Sequence, residues 1–339
     1  MNSKNRQISF HKMHSLGNDF VVLDAVTTSL NPTAEQISWL ADRHRGVGCD
    51  QLLIIEPPTE PEADFFFRIY NADGSEAQQC GNGTRVVALL VNQLQLSAKK
   101  ELRWQSLAGE FTTRVVTEAQ NPPIEKVHIE SNQIDTTMTV PVLDLAAIPF
   151  NSKHAEAVTH PSNFRQFELE SDDAPSVVVT PVSMGNPHGV IMVDDVLNVD
   201  VDQIGSTYTN HPAFPERANI GFCQVVDEQF IRLRVYERGA GETQACGSGA
   251  CAAVVAATSL GLTQGKVKVS LPGGKLRIRW SQPGERVMMS GDAAYVYRGN
   301  VTLPIQQKSN GQQDTEESKQ SAPHQHTAAP QPTTQTVSS

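Results

Sequence analysis

Short apolar runs separated by turn residues dominate the first third of the chain and predict strands and short helices. Residues 8–24 contain two such runs on either side of a turn at residues 16–19. Apolar residues three and four positions apart predict a helix over residues 32–44, and a nearly continuous apolar middle predicts a buried helix over residues 81–96. Further strands are predicted at residues 51–56 and 64–70, and a hairpin at residues 103–117.

The same order of elements returns in the second half of the chain. A helix of small residues is predicted after residues 247–249, and irregular chain is predicted through Pro212 and Pro215. Strands are predicted at residues 176–182, 190–193, 222–226, 230–236, 266–270, 275–280 and 293–303. Short hairpins are too frequent for a doubly wound parallel sheet. The pattern therefore favours an α+β fold, in which each half is a curved, mostly antiparallel sheet around a central apolar helix.

One passage of the chain occurs twice. Residues 68–83 read RIYNADGSEAQQCGNG, and residues 234–249 read RVYERGAGETQACGSG. The two passages align without a gap at an offset of 166 positions, which places Cys246 on Cys80. A repeat this long is a duplicated domain, because solenoid units are much shorter. It predicts two pseudo-symmetric domains with the active site in the cleft between them.

The predicted domain boundaries follow from this repeat. The N-terminal half covers residues 7–127 and is joined by the last strand at residues 292–304, and the C-terminal half covers residues 128–291. Residues 305–339 are rich in Gln, Ser, Thr and Pro and contain no aromatic residue. Such a segment cannot bury enough apolar surface to offset its ordering entropy, so it is expected to be a disordered tail.

Composition narrows the classes of partner. The chain has 339 residues and a formal net charge of −10 at pH 7, which argues against a nucleic-acid surface and a polybasic membrane patch. A small polar molecule is therefore the favoured partner. No apolar run reaches transmembrane length, and residues 1–11 lack the apolar segment of a signal peptide. Five cysteines without close paired spacing fit reduced thiols in the cytoplasm, the expected compartment.

The two repeated cysteines carry the candidate chemistry. Each precedes a Gly-rich turn that opens a helix, where the positive end of the helix dipole is expected to lower a thiol pKa. The free N–H groups of the same turn suit a carboxylate. One thiol on each side of a substrate is what two-base proton exchange at a carbon centre requires. No cofactor fingerprint and no metal-ligand spacing is present in the sequence, so neither a cofactor nor a metal is expected.

A structural role for these cysteines is the simpler alternative, since a single Cys before Gly-x-Gly is usually part of a tight turn. Two such sites in register favour chemistry, although duplicated structural cysteines remain an alternative. Cys49, Cys223 and Cys251 have no counterpart in the repeat and are expected to be buried without a chemical role.

Several motifs, in order, resemble the diaminopimelate epimerase family. They are MHSLGNDF at residues 13–20, NADGS at 71–75, CGNGTR at 80–85, GNPH at 185–188, ERGAGET at 237–243 and CGSG at 246–249. The resemblance spans residues 8–303. Ser15 stands where that family commonly has Gly, and the tail after Pro304 lies outside the family's core.

The resemblance implies a cofactor-independent epimerase that converts LL-2,6-diaminoheptanedioate to the meso form, in lysine and peptidoglycan synthesis. Cys80 and Cys246 would exchange the proton, while His188 and Glu237 would tune the two thiols. Tyr297 would lie at a homodimer contact. Substrate-binding residues implied by the motifs are Asn18, Gln51, Asn71, Gly81, Asn82, Asn186, Asn219, Glu237, Arg238, Gly247 and Ser248.

Other functions remain open at this stage. A proline racemase or hydroxyproline epimerase would use the same two thiols, but Arg238 and the amide side chains favour a substrate with a second amino-acid end. A dithiol redox or metal-binding protein is disfavoured because close Cys pairs are absent from the sequence. A binding module without chemistry would leave the duplicated thiols unexplained.

Overall fold

The computed structural model describes residues 7–77, 80–107, 109–116 and 132–304. The α-helices are α1 (Ala34–Ala41), α2 (Gly81–Gln93), α3 (Val201–Thr209) and α4 (Gly247–Ser259). The strands are β1 (Gln7–Ser15), β2 (Asn18–Asp24), β3 (Gln51–Glu56), β4 (Phe65–Asn71), β5 (Glu76–Ala77), β6 (Glu101–Ser106), β7 (Gly109–Val115), β8 (Asn132–Thr137), β9 (Glu156–Val158), β10 (Gln166–Leu169), β11 (Val177–Ser183), β12 (Pro187–Met192), β13 (Asn219–Asp227), β14 (Phe230–Glu237), β15 (Gly241–Thr243), β16 (Lys266–Leu271), β17 (Gly274–Arg279) and β18 (Met288–Thr302). The fold is mixed α+β, as predicted.

The first half forms a closed ring of eight paired strands around α2. The order is β1, β2, β3, β4, β6, β7, β8 and β18, and β18 pairs with β1 to close the ring. Two of the pairings, β2 with β3 and β4 with β6, are parallel. α2 is buried from Asn82 to Val91, and its apolar residues, Val86 to Val91, cover all sides of the helix.

The second half repeats these pairings in the same order around α4. β11, β12, β13, β14, β16, β17 and β18 pair in sequence, again with the second and fourth pairings parallel. A bridge between Val142 and Ser183 links β11 to the chain that follows β8. The buried face of α4 consists mainly of Ala and Val, which lets the surrounding strands approach closely.

Strand β18 belongs to both sets of pairings. Its first residues pair with β17 and β8, and Ala294 to Thr302 pair with β1. Gly299 lies beneath the ring of Phe10, where an added Cβ would be 2.7 Å from a ring carbon. A side chain at this position would therefore have to displace the Phe10 ring.

Several predicted boundaries shift. The helix predicted over residues 32–44 is limited to α1, because Thr33 forms a capping box with Gln36 and Asp42 leaves the helical conformation. The helix predicted over residues 81–96 ends at Gln93. The predicted start of the second half, the 127/128 boundary and the tail at 305–339 lie outside the described residues.

The irregular chain predicted before Pro212 contains α3, so this part of the prediction was wrong. Asp200 caps the helix through a hydrogen bond from the Gln203 N–H, and Val201, Gly205 and Tyr208 are buried along one face. Within the described residues, none of the helices is long and apolar enough to span a bilayer.

Candidate active site

The two repeated cysteines occupy equivalent positions at the N-termini of α2 and α4. Cys80 and Cys246 are the N-cap residues, with extended backbone, and their sulfur atoms accept N–H groups from Gly83 at 3.3 Å and Gly249 at 3.4 Å. Each thiol is therefore held at the start of a helix, whose first N–H groups have no intrahelical acceptors.

The two helix N-termini meet at a pair of glycines. A Cβ added at Gly81 would lie 3.5 Å from the Cα of Gly247, and the reverse distance is also 3.5 Å. These distances are ordinary van der Waals contacts, so the two thiol-bearing turns lie side by side.

Both thiols line one cleft of ≈ 930 Å³. A volume in this range is typical of small-molecule sites. Most of the predicted site residues contribute to its lining: Asn18, Gln51, Asn71, Cys80, Gly81, Asn82, Asn186, Glu237, Cys246, Gly247 and Ser248. Residues separated by up to 230 positions in the chain, Asn18 and Ser248, are brought together here.

Amide side chains from the first half are fixed by hydrogen bonds to one another. Gln51 Nε2 donates to Asn71 Oδ1 at 3.1 Å, across the pairing of β3 with β4. Asn82 Nδ2 donates to Asn18 Oδ1 at 3.3 Å and to the Ala245 carbonyl at 2.9 Å. The second bond connects the turn after Cys80 to the residue that precedes Cys246.

Three predicted residues of the second half lie beside the cleft rather than in its lining. His188 and Asn219 are opposite each other in the parallel pairing of β12 with β13 and are both buried. Asn219 Oδ1 accepts the backbone N–H of Arg238 at 2.8 Å, and Arg238 Nη1 donates to the Glu216 carbonyl at 2.8 Å. His188 reaches the cleft through Asn186, with 3.1 Å between Nε2 and Oδ1.

Burial, and not the helix dipole, controls the two thiols, which corrects the expected lowering of their pKa values. Burial raises the pKa of Cys80 to about 11, although the N–H of Gly83 acts in the opposite direction. The pKa of Cys246 is raised well above its ordinary value by burial and by the negative charge of Glu237. In this structure both groups are therefore protonated thiols near neutral pH.

Glu237 adjoins Cys246 and differs from the surface carboxylates of the chain. Burial raises its pKa, while hydrogen bonds from Thr243 and from the Cys246 thiol stabilise the carboxylate. The carboxylate is thus placed to accept the proton of Cys246. The residue at the equivalent position of the first half is Asn71, so the repeat is chemically unequal at this point.

A group of charged residues missed in the sequence supports the rim of the cleft. Asp50 accepts the Asn18 amide at 3.0 Å and pairs with Arg43 at 2.7 Å, and Arg43 also contacts Asp19. Burial opposes ionisation of Asp19, but hydrogen bonds from Arg43 and Lys12 outweigh it and hold the Asp19 pKa below its usual range. Asp50 directly precedes Gln51, which was the available sequence signal.

A family comparison now bears on this arrangement. The diaminopimelate epimerase family matches residues 10–133 and 180–296, which is most of the chain. The chain belongs to the diaminopimelate epimerase family. Both cysteine turns fall inside the matched segments. Membership supports an isomerase of the epimerase type.

Solved structures with the same fold include three distant relatives. A hydroxyproline epimerase from Agrobacterium vitis is 12% identical with a TM-score of 0.60, covering 89% of this chain and 94% of its own. A probable proline racemase from Agrobacterium radiobacter K84 is 14% identical, TM-score 0.59, covering 88% and 93%. A PhzF-family phenazine biosynthesis protein from Bacillus anthracis is 17% identical, TM-score 0.59, covering 88% and 100%. At these identities the likeness concerns the fold.

We expect His188 to make the protein less stable in mild acid. Burial lowers its pKa to about 3, below the 6.5 of an exposed histidine. Between these values the unfolded chain binds the extra proton, so the free energy of unfolding falls as pH drops, by up to about 1.4 kcal/mol per pH unit. His188→Asn should therefore lose less stability than the parent when denaturant unfolding is compared at pH 7 and pH 5.

The exposed His154 provides the control, because His154→Asn should lose as much stability on acidification as the parent. An identical acid sensitivity in His188→Asn and the parent would contradict the burial of a neutral His188.

Proposed function

We propose that the chain is a diaminopimelate epimerase that interconverts LL- and meso-2,6-diaminoheptanedioate without a cofactor. The observation that carries this proposal is the pair of thiols, Cys80 and Cys246, at equivalent helix N-termini on a single cleft. The family match supports the epimerase class, and the polar cleft supports a substrate with two amino-acid ends.

In the proposed reaction one cysteine acts as the base and the other as the acid. A thiolate removes the α-proton, the C–H electron pair passes into the adjacent carboxylate, and the opposite thiol delivers its proton to the other face of the carbon. Backbone N–H groups at Gly81, Asn82, Gly247 and Ser248 would hold that carboxylate and stabilise its developing charge. After one turnover the thiol and thiolate have exchanged places.

Forming the thiolate is the demanding step, because burial raises the pKa of both cysteines. Glu237 supplies an acceptor for the Cys246 proton. His188 stays neutral near pH 7 and would act through Asn186. We propose these two residues as the groups that tune the thiols.

Substrate specificity is assigned to the amide residues and to Arg238. Substrate binding is assigned to Asn18, Gln51, Asn71, Asn186, Asn219, Glu237 and Arg238, several of them at the distal amino-acid end, which does not react. The Arg238 guanidinium would bind a carboxylate there after leaving the Glu216 carbonyl.

We further propose that residues 7–127 with 292–304 and residues 128–291 are two pseudo-symmetric domains that hold the substrate between them, in a cytoplasmic enzyme.

Isotope incorporation tests the proposed function. Purified protein is incubated in D2O with LL-diaminoheptanedioate, and deuterium at the α-carbon is followed together with the appearance of the meso isomer. Incorporation with both isomers formed supports the proposal. Parallel incubations with L-proline and trans-4-hydroxy-L-proline test the second candidate.

The second candidate is a proline racemase or hydroxyproline epimerase, which the fold of two relatives favours. If deuterium enters proline or hydroxyproline but not diaminoheptanedioate, proline or hydroxyproline is the substrate in place of the proposed one. Exchange of none of the three would contradict both assignments.

We expect Tyr297→Ala to weaken a homodimer. Tyr297 is 45% exposed on β18 and forms a T-shaped ring contact with Phe10 at a centroid distance of 5.9 Å, beside the exposed Val296. Exposed apolar side chains on one strand suit a contact between two copies. Size-exclusion chromatography with light scattering across a dilution series should show a higher dissociation constant for Tyr297→Ala.

Deletion of residues 305–339 is the control and should leave assembly and activity unchanged. A parent protein that is monomeric at all concentrations, or a deletion that abolishes turnover, would contradict this expectation.

A further inference from the structure

A buried arginine lies one helical turn after Cys80. The side chain of Arg85 is 0% exposed, and among the described residues no carboxylate forms an ion pair with it. Its acceptors are neutral: Ser15 Oγ at 2.7 Å from Nη2, Asn82 Oδ1 at 2.7 Å, the Gly81 carbonyl at 3.2 Å and the Asp292 carbonyl at 3.4 Å.

Ordinary packing does not explain this residue well. Burying a charged group without an oppositely charged partner costs several kcal/mol. The equivalent position of α4, 166 residues later, is Cys251, which shows that a small side chain suits this helix position. Room for the guanidinium also depends on Gly291, where an added Cβ would lie 3.1 Å from Arg85 Nε.

Arg85 determines how the amide of Asn82 is oriented. A guanidinium can only donate hydrogen bonds, so the Asn82 oxygen must face Arg85 and its nitrogen must face the Ala245 carbonyl at 2.9 Å. Ala245 precedes Cys246. A continuous set of bonds therefore runs from Arg85 through Asn82 to the turn that carries the second thiol.

Arg85 also brings a positive charge to the first thiol. Burial lowers the pKa of Arg85 to about 10, so the group is still charged near pH 7. The charged and titratable groups facing Cys80 are Arg85 from α2 and Glu237 from β14, which act on its pKa in opposite directions. Those facing Arg85 are Cys80, Cys251 from α4 and Asp292 from β18.

We propose that Arg85 is a positioning residue, which fixes the Asn82 amide between the two thiol-bearing turns and supplies the buried positive charge that favours a thiolate at Cys80. This inference rests on the proposed two-cysteine reaction. Ser15 completes the arrangement: its hydroxyl accepts two N–H groups of Arg85 and donates to the Asp292 carbonyl at 2.6 Å. A glycine at this position would leave the guanidinium with fewer acceptors.

Alkylation by iodoacetamide tests the charge without any substrate. Rates at Cys80 and Cys246 are measured at pH 8 by peptide mapping in the parent, Arg85→Met and Arg85→Lys. Loss of the nearby charge should raise the Cys80 pKa further, and the Cys80 alkylation rate in Arg85→Met is expected to fall about tenfold. The Cys246 rate should change less, because Glu237 is its charged neighbour. Arg85→Lys should restore most of the Cys80 rate.

Turnover tests the positioning. Arg85→Lys keeps the charge but lacks the planar fork that reaches Ser15 and Asn82 together, so kcat should fall about tenfold with little change in the alkylation rate. Cys251→Ala, a change beside Arg85 that removes none of these bonds, should retain both the kcat and the Cys80 alkylation rate of the parent.

Thermal unfolding separates this role from a structural one. Arg85→Met removes a buried charge but leaves its buried acceptors unpaired, so its melting temperature is measured and all rates are compared at equal folded concentration. An unchanged Cys80 alkylation rate in Arg85→Met would overturn the proposal. The proposal would also be overturned if the loss of turnover in an Arg85 variant equalled the fraction of that variant that is unfolded. Absence of diaminoheptanedioate turnover in the parent, together with the expected alkylation change, would reject the proposed substrate but not the effect of Arg85 on Cys80.

Discussion

Replacing either Cys80 or Cys246 by alanine is expected to lower kcat by at least about two orders of magnitude, the usual scale for a positioned acid or base. Both thiols line the same cleft at helix N-termini, whereas Cys49, the other cysteine of the cleft lining, does not begin a helix. The rate of epimerisation by circular dichroism, with both variants at equal folded concentration, measures the loss.

Exchange of the α-proton with solvent, measured separately for the LL and meso isomers, distinguishes the roles of the two cysteines more sharply than the loss of kcat. Each variant keeps one cysteine, which can still remove the α-proton that faces it. We therefore expect Cys80→Ala to exchange the α-proton of one isomer and Cys246→Ala that of the other. Cys223→Ala is the matched control, because Cys223 is a buried cysteine of the β13 core away from the cleft lining. Epimerisation near the parent rate in either active-site variant would contradict the two-base reaction.

The repeated passage explains why so much of the site could be predicted. Turn residues and thiols at a constant offset of 166 positions indicate two equivalent loops. The helices that begin at Gly81 and Gly247 can be predicted locally, from the Gly-rich sequence at their start. Most predicted residues consequently line one cleft.

The thiol pKa values could not be predicted in this way. A helix N-terminus is visible in the sequence, but the degree of burial around Cys80 and Cys246 depends on two sets of strands that close over them. The rise in thiol pKa caused by burial then exceeds the lowering caused by the helix N-terminus. The orientation of Arg238 toward Glu216 is likewise a tertiary contact, made between residues on different loops.

Helix α3 shows a different reason for a missed element. Val201, Ile204, Gly205 and Tyr208 have helical spacing after the capping Asp200, so the signal was present. Pro212 and Pro215, which follow the helix, drew the prediction toward irregular chain. Gly205 is required there because an added Cβ would lie 2.4 Å from Tyr236 Cβ, a contact that no sequence pattern indicates.

Glu237→Gln is expected to lower kcat by about two orders of magnitude and to move the pH–rate profile. The substitution removes the buried acceptor for the Cys246 proton. It also removes the negative charge that raises the Cys246 pKa, so the limb of the profile governed by this thiol should shift to lower pH. Initial rates in both directions between pH 6 and pH 10 give the profile.

The neighbouring Glu242 offers a matched control in the same cleft. Its carboxylate pairs with Arg234 at 2.7 Å rather than with a thiol, so Glu242→Gln removes an equal charge without removing the proton acceptor. We expect Glu242→Gln to alter the rate less and to leave the position of the Cys246 limb unchanged. If Glu237→Gln raised only KM and its profile coincided with that of Glu242→Gln, Glu237 would be a substrate-binding group, and the proton of Cys246 would have to leave by another route.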